Sequence, residues 1–145
     1  MSPADISTGR RSTATSSSAS FANPWDRLVS SYHFSRNGEK SGVSFRRFVK
    51  RIHAQGFGEE RAVTPQAKFL FDERRYRLVN FVGRFENLDE DFAKVCDKLG
   101  LGPQSLPHEN AARARRPYRD YYNAQTRALV ETLYREDIER FGFTF

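Results

Sequence analysis

Cysteine is almost missing from this sequence, with one residue, Cys96, among 145. A single thiol cannot form an internal disulfide framework, and it excludes any CxxC zinc or redox motif. Long apolar runs are missing too. Nothing approaches the 18 residues of a membrane-spanning helix, and the apolar stretch of a secretory signal is lacking. The three histidines, His33, His53 and His108, show no metal-ligand spacing, so no metal is expected. These absences predict a soluble, cytoplasmic protein. Its length fits one domain with one core. Lysine is also scarce, at five of the 24 basic residues: Lys40, Lys50, Lys68, Lys94 and Lys98.

Arginine is what the sequence has instead, and it carries the formal net charge of +6. A guanidinium forms paired hydrogen bonds with phosphate or sulfate in a way that an ammonium cannot. The charge therefore nominates an anionic ligand, although a solvated arginine face gives the same composition.

Residues 1–20 are rich in Ser and Thr and show no apolar periodicity. Such a segment cannot bury enough surface to offset its ordering entropy, so a disordered tail is expected there, with a folded part over 21–145. Asn23-Pro24 opens a helix carrying Trp25, Leu28, Val29 and Tyr32. Ser44 caps a second helix, in which Phe45, Phe48, Val49 and Ile52 recur at helical spacing and Arg46, Arg47, Lys50 and Arg51 take the other side. Residues 64–72 fit a helix end or a strand start equally well. The run 78–85 reads as a strand buried on both faces, as in a parallel sheet. Asn87 with Glu90 gives a capping-box pattern for a helix that ends at Gly100 and buries Cys96 on its apolar stripe. Residues 101–117 read as a loop. A last helical region from Tyr118 is interrupted at Gly142. The pattern is mixed α/β with one secure strand.

Chemistry concentrates first at Ala22-Asn23-Pro24-Trp25-Asp26-Arg27-Leu28-Val29-Ser30-Ser31-Tyr32. A helix start of this kind turns backbone N–H groups and the positive dipole end toward an anion. Arg27, Ser30 and Ser31, at i, i+3 and i+4, share a face. They can hold an anion together, or Arg27 can pair internally while the serines are merely tolerated, and the spacing leaves both readings open.

That segment closely resembles the 3′-phosphate-binding motif of sulfotransferases that use 3′-phosphoadenosine 5′-phosphosulfate (PAPS), more narrowly the carbohydrate-type family (family 2) of Golgi enzymes and their bacterial relatives. Phe81-Val82-Gly83-Arg84-Phe85-Glu86-Asn87-Leu88 resembles the family's strand-to-helix signature. Leu106-Pro107-His108-x-Asn110 with Pro117-Tyr118-Arg119-x-Tyr121-Tyr122 resembles its late loop, and Asp137-Ile138-Glu139-Arg140-Phe141-Gly142-Phe143-x-Phe145 its C-terminal signature. The four matches keep their order over residues 23–145. The resemblance implies an α/β, P-loop-like sandwich around a central parallel sheet, with PAPS as co-substrate and transfer of a sulfuryl group to a hydroxyl of a carbohydrate-type acceptor. It carries over Arg27 and Ser30 as cofactor-binding residues, and Arg113 and Arg115 of the late loop with them. It also implies that relatives can be membrane-anchored.

The departures are specific. Ala22 stands where the family has the arginine that meets the 3′-phosphate, and Ala112 where the late loop offers Ser or Thr. The Lys-x-Gly-x-Ser/Thr loop that cradles the 5′-phosphosulfate should precede the 3′-phosphate motif, but the Ser/Thr-rich tail lies there. Lys40-Ser41-Gly42-Val43-Ser44 copies its letters, yet follows the wrong motif and no strand. No residue matches the family's catalytic base, and His108 reads as a loop-shaping residue. The expectation is therefore an incomplete domain, lacking the N-terminal strand and the 5′-loop, that is weak or inactive alone. A non-catalytic remnant, or a basic nucleic-acid-binding module using Arg46, Arg47, Lys50, Arg51 and the arginines of the late loop, is the alternative. Nucleic acid is the less expected of these partners, since no recognised motif for it is present.

Overall fold

Two short strands and six helices are formed by residues 18–106 and 116–145, the parts that the computed structural model describes. Helix α1 (Pro24–Phe34) starts as its sequence dictates. The Asn23 side chain accepts from the N–H groups of Trp25 and Asp26, and Pro24 takes the first turn, where no N–H is needed. Beyond α1 the chain folds back so tightly that a Cβ on Gly38 would lie 2.0 Å from the Tyr32 carbonyl oxygen. Only glycine fits at that approach.

Helix α2 (Phe45–Gln55) is capped by Ser44 and buries Phe45, Phe48, Val49 and Ile52, leaving Arg46, Arg47 and Lys50 exposed. It packs against α5 (Ala124–Leu133) and α1. Helix α5 is opened by Asn123 and Thr126, each side chain accepting from the other's backbone N–H. A break at Tyr134 separates it from α6 (Arg135–Phe141), which ends at left-handed Gly142. The expected last helical region is thus a 3-10 turn (Tyr118–Tyr121), α5 and α6. The ambiguous stretch 64–72 becomes the one-turn α3 (Ala67–Leu70), followed by an isolated antiparallel bridge from Phe71 to Arg77.

Strands β1 (Ser18–Phe21) and β2 (Phe81–Arg84) pair in parallel, in register Ser18 with Phe81 through Phe21 with Arg84. The last three residues of the stretch expected to be a disordered tail are therefore strand, while residues 1–17 lie outside the described residues. Ser18, Ala19 and Ser20 bury little by themselves, and the ladder to β2 is what satisfies their backbone groups. The apolar run 78–85 contracts to four strand residues and is not buried on both faces. Phe81 and Val82 are half-buried, while Leu78 and Phe85 are each 57% exposed, because β1 and α4 (Leu88–Leu99) cover only part of the run. The capping box expected at Asn87 does not form, since a 3-10 turn (Phe85–Asn87) leads into α4 and Asn87 makes no side-chain cap. The Asp91 carboxylate instead reaches back to the Arg84 N–H at 2.7 Å. Helix α4 lies so close to β2 that a Cβ on Gly83 would be 3.0 Å from the Asp91 side chain. Cys96 is buried on the inner stripe of α4, as its spacing predicts.

The core gathers between α1, α2 and α5, with α6 and the C-terminal aromatics closing one side. Phe21 stacks on Phe141 at 3.9 Å, and the Phe145 ring meets Trp25 edge-on at 5.6 Å. The architecture is mixed α/β with a parallel strand pair, in agreement with the class read from the sequence.

Candidate functional site

Both strands run the same way, so both deliver the chain into a helix at one end of the sheet. β1 passes through Ala22 and Asn23 into α1, and β2 passes through the 3-10 turn into α4. In parallel α/β sheets ligands bind outside the carboxyl ends of the strands, where helix N-termini also point.

Hydrogen bonds from distant parts of the chain tie this end together. The Asn23 N–H donates to the Glu86 carboxylate at 3.0 Å, and the Asn23 side-chain amide donates to the Thr144 carbonyl at 3.3 Å. Ala22 makes a two-point contact with one side chain. Its N–H donates to Gln66 Oε1 at 2.9 Å, while Gln66 Nε2 donates to its carbonyl at 2.8 Å. The amide of Gln66 thus extends the β1 exit as a strand neighbour would.

The face of α1 that carries Arg27, Ser30 and Ser31 divides its work. Arg27 Nη1 donates to the Thr64 carbonyl at 2.8 Å and Nη2 to the Arg61 carbonyl at 3.1 Å. Burial pulls the Arg27 pKa below its ordinary value, partly opposed by nearby Tyr134 and Asp137. Ser31 Oγ donates to the Ala62 carbonyl at 2.9 Å. Ser30 is half-buried, and its side chain makes no hydrogen bond among the described residues. Of the three, Ser30 therefore has the hydroxyl left for a ligand, whereas Arg27 and Ser31 fasten the segment 60–67 to α1.

The same segment is held from the opposite side. Tyr134 Oη donates to the Val63 carbonyl at 2.5 Å, and the Asp137 carboxylate accepts from the N–H groups of Gln66 and Ala67, each at 2.7 Å. Burial raises the Asp137 pKa, while those two N–H groups and Arg27 pull it back. Burial likewise raises the Tyr134 hydroxyl. Tyr122 Oη, raised by burial too, donates to the Trp25 carbonyl at 2.8 Å. Sequence reasoning missed Gln66, Tyr134 and Asp137 in these roles. Asp137 had a signal: it sits on the stripe Tyr134, Ile138, Phe141 at i+3, where a carboxylate must have partners.

The far end of α1 carries a further polar chain. His33 Nδ1 lies 2.6 Å from a Glu39 carboxylate oxygen, and His33 Nε2 lies 2.9 Å from Tyr121 Oη. His53 is exposed on α2. Arg113, Arg115, His108 and Ala112 lie outside the described residues.

Comparison with known proteins fits this arrangement. The chain is similar to an uncharacterized protein of Archaeoglobus fulgidus, 39% identical over 89 residues, an alignment covering 58% of this chain and 66% of the relative. The chain thus spans just under two thirds of that relative's length. No solved structure matches it. The profile of the sulfotransferase family matches residues 4–144, nearly the whole sequence and every element described above. With its β1–α1 unit, strand-to-helix segment and C-terminal signature all inside that match, the chain belongs to the sulfotransferase family.

Proposed function

We propose that this chain forms the 3′-phosphate side of a PAPS-dependent sulfotransferase site, and that the reaction moves a sulfuryl group from PAPS to a hydroxyl of a carbohydrate-type acceptor. One observation carries the reading. The β1–α1 unit sends a parallel strand straight into an Asn-Pro helix start, and along that helix Ser30 keeps a half-buried hydroxyl with no protein partner among the described residues. In the family resemblance Ser30 is the residue that meets the 3′-phosphate.

Sulfuryl transfer requires that the anionic donor be clamped, that charge growing on the bridging oxygen be stabilised, and that the acceptor hydroxyl lose its proton. The residues named here serve the clamp. The Ser30 hydroxyl donates to a phosphate oxygen. Arg27 places a fixed positive charge on the same side of α1, its guanidinium oriented by the carbonyls of residues 61 and 64. Arg113 and Arg115 add charge from the late loop. The sequence carries no motif in the family's order for the 5′-loop and none for the acceptor's base, so the expected turnover of this chain alone is weak or absent, with nucleotide binding retained.

Calorimetry with 3′,5′-adenosine bisphosphate tests the reading. The expected result is micromolar binding, weakened about tenfold by Ser30→Ala, the size of one hydrogen bond to a charged group. Failure of the wild-type chain to bind the bisphosphate removes the proposal.

A further inference from the structure

The nucleotide reading leaves one charge to be supplied. Position 22 is alanine, and its backbone N–H and carbonyl are both taken by the Gln66 amide. The arginines around the strand exits and α1 are largely engaged. Arg27 holds two carbonyls, Arg84 donates to the Phe141 carbonyl at 2.6 Å, and Arg127 pairs with Glu131 at 3.0 Å. Arg119 stacks on Tyr118 and Phe145, toward the Trp25 end of the helix.

Arg116 differs from all of these. It is exposed, and among the described residues its guanidinium makes no hydrogen bond or ion pair. It lies over a ring instead: Cζ is 4.2 Å from the centroid of Tyr121. A guanidinium over an aromatic face is held in place without using its N–H groups, which stay directed outward for an anion.

The ring beneath it is itself fixed. An ionised carboxylate can only accept, so the contact between Glu39 and His33 Nδ1 places a proton on Nδ1. The other ring nitrogen, Nε2, is hydrogen-bonded to the Tyr121 hydroxyl. Phe45 meets the Tyr121 ring edge-on at 5.6 Å. Glu39, His33 and Tyr121 thus form a chain of fixed orientation that ends under Arg116. His33 lies three residues beyond Ser30, a spacing that puts both on one face of α1. The cation and the free hydroxyl are therefore brought to the same side of one helix by residues far apart in sequence.

We propose that Arg116 is an additional anion-binding residue of this site, held on the Ser30 side of α1 by the Glu39–His33–Tyr121 chain, and that it gives a nucleotide 3′-phosphate the positive charge that position 22 does not. The inference rests on the nucleotide reading above. Tyr121 and His33 act through Arg116 as positioning residues.

The test compares two nucleotides on the whole chain, 3′,5′-adenosine bisphosphate and 5′-AMP, which lacks the 3′-phosphate. Arg116→Gln is expected to weaken the bisphosphate about tenfold and leave 5′-AMP unchanged, so that preference for the 3′-phosphate collapses. Arg116→Lys keeps a point charge without the fork and restores part of the loss. Tyr121→Phe keeps the ring but frees it from His33, and falls between wild type and Arg116→Gln. Bisphosphate affinity that Arg116→Gln leaves intact overturns the role of Arg116, as does an equal loss for both nucleotides. In either case the nucleotide reading stands if Ser30→Ala still weakens binding. A wild-type chain that does not bind the bisphosphate overturns both.

Discussion

The helical side and the strand side of this molecule spend similar apolar residues very differently. On the helical side, Trp25, Phe48, Val49, Val63, Val130 and Tyr134 are all at most 2% exposed. On the strand side, Cys96 is the single residue that α4 buries fully, while Phe85, Leu99 and Leu101 are 57%, 47% and 58% exposed. The helical side packs against itself from several directions, whereas α4 has β2 as its main support. Burial drives stability in proportion to the apolar area removed from water. The platform for α1, and hence for Ser30 and Arg27, is therefore the well-packed side, and the sheet contributes direction more than mass.

The largest expected effect breaks this contrast open. Phe48→Ala removes a fully buried ring and is expected to cost about 3–5 kcal/mol, as large-to-small changes in close-packed cores do. Leu99→Ala, on the exposed flank of α4, is expected to cost less than about 1 kcal/mol. Denaturant unfolding of the two variants measures both. Equal losses would mean that the strand side is packed as tightly as the helical side, against the exposures seen.

Next in size is Asp137→Ala. That carboxylate satisfies two backbone N–H groups at the start of α3 and has no exposure of its own. Its removal orphans both donors, at about 3 kcal/mol for the pair. Asp137→Asn keeps one acceptor and should lose less. Amide hydrogen exchange gives the local readout: in the alanine variant Gln66 and Ala67 should exchange faster, together with Ala22, which Gln66 holds. Unchanged protection at Ala22 would show that the strand exit does not depend on the clamp around residues 60–67.

Much of the helical side was legible in the sequence because its signals are local. Asn23-Pro24 and Ser44 cap the helices they precede, the α2 stripe buries the four residues its spacing names, and Cys96 is core. Misreadings arose where the outcome depended on distant partners. The run 78–85 has the composition of a strand buried on both faces, but composition does not say how many neighbours a strand will meet, and among the described residues β1 is the one. Ser18–Ser20 looked too polar to order, and their pairing lies some sixty residues downstream. The site divides in the same way. Arg27 and Ser30 stand out from motif and spacing, but the carbonyls that occupy Arg27 belong to residues 61 and 64, which carry no pattern of their own. The Gln66 amide at Ala22 and the Glu39–His33–Tyr121 chain were invisible for that reason.

The smallest effect compares two carboxylates, one from each side, whose titrations have opposite signs. Asp91 on α4 is held below the ordinary carboxylate range, first by its hydrogen bond from Lys94 and then by the Arg84 N–H. The folded state therefore releases that proton at lower pH than the unfolded chain does. Its contribution is complete above the ordinary Asp value of about 3.9 and fades as pH falls through the lowered folded value. Asp137 on α6 is raised by burial, so in the window between the ordinary value and its raised folded value the folded chain binds more protons, and stability falls as pH rises. In unfolding midpoints followed from the acid side, Asp91→Asn should match wild type at the lowest pH and fall slightly behind as pH passes the ordinary carboxylate range. Asp137→Asn should show the reverse trend, its deficit against wild type shrinking over the Asp137 window. A constant gap between Asp91→Asn and wild type at every pH would mean that the shape of the side chain, and not its charge, ties α4 to the end of β2.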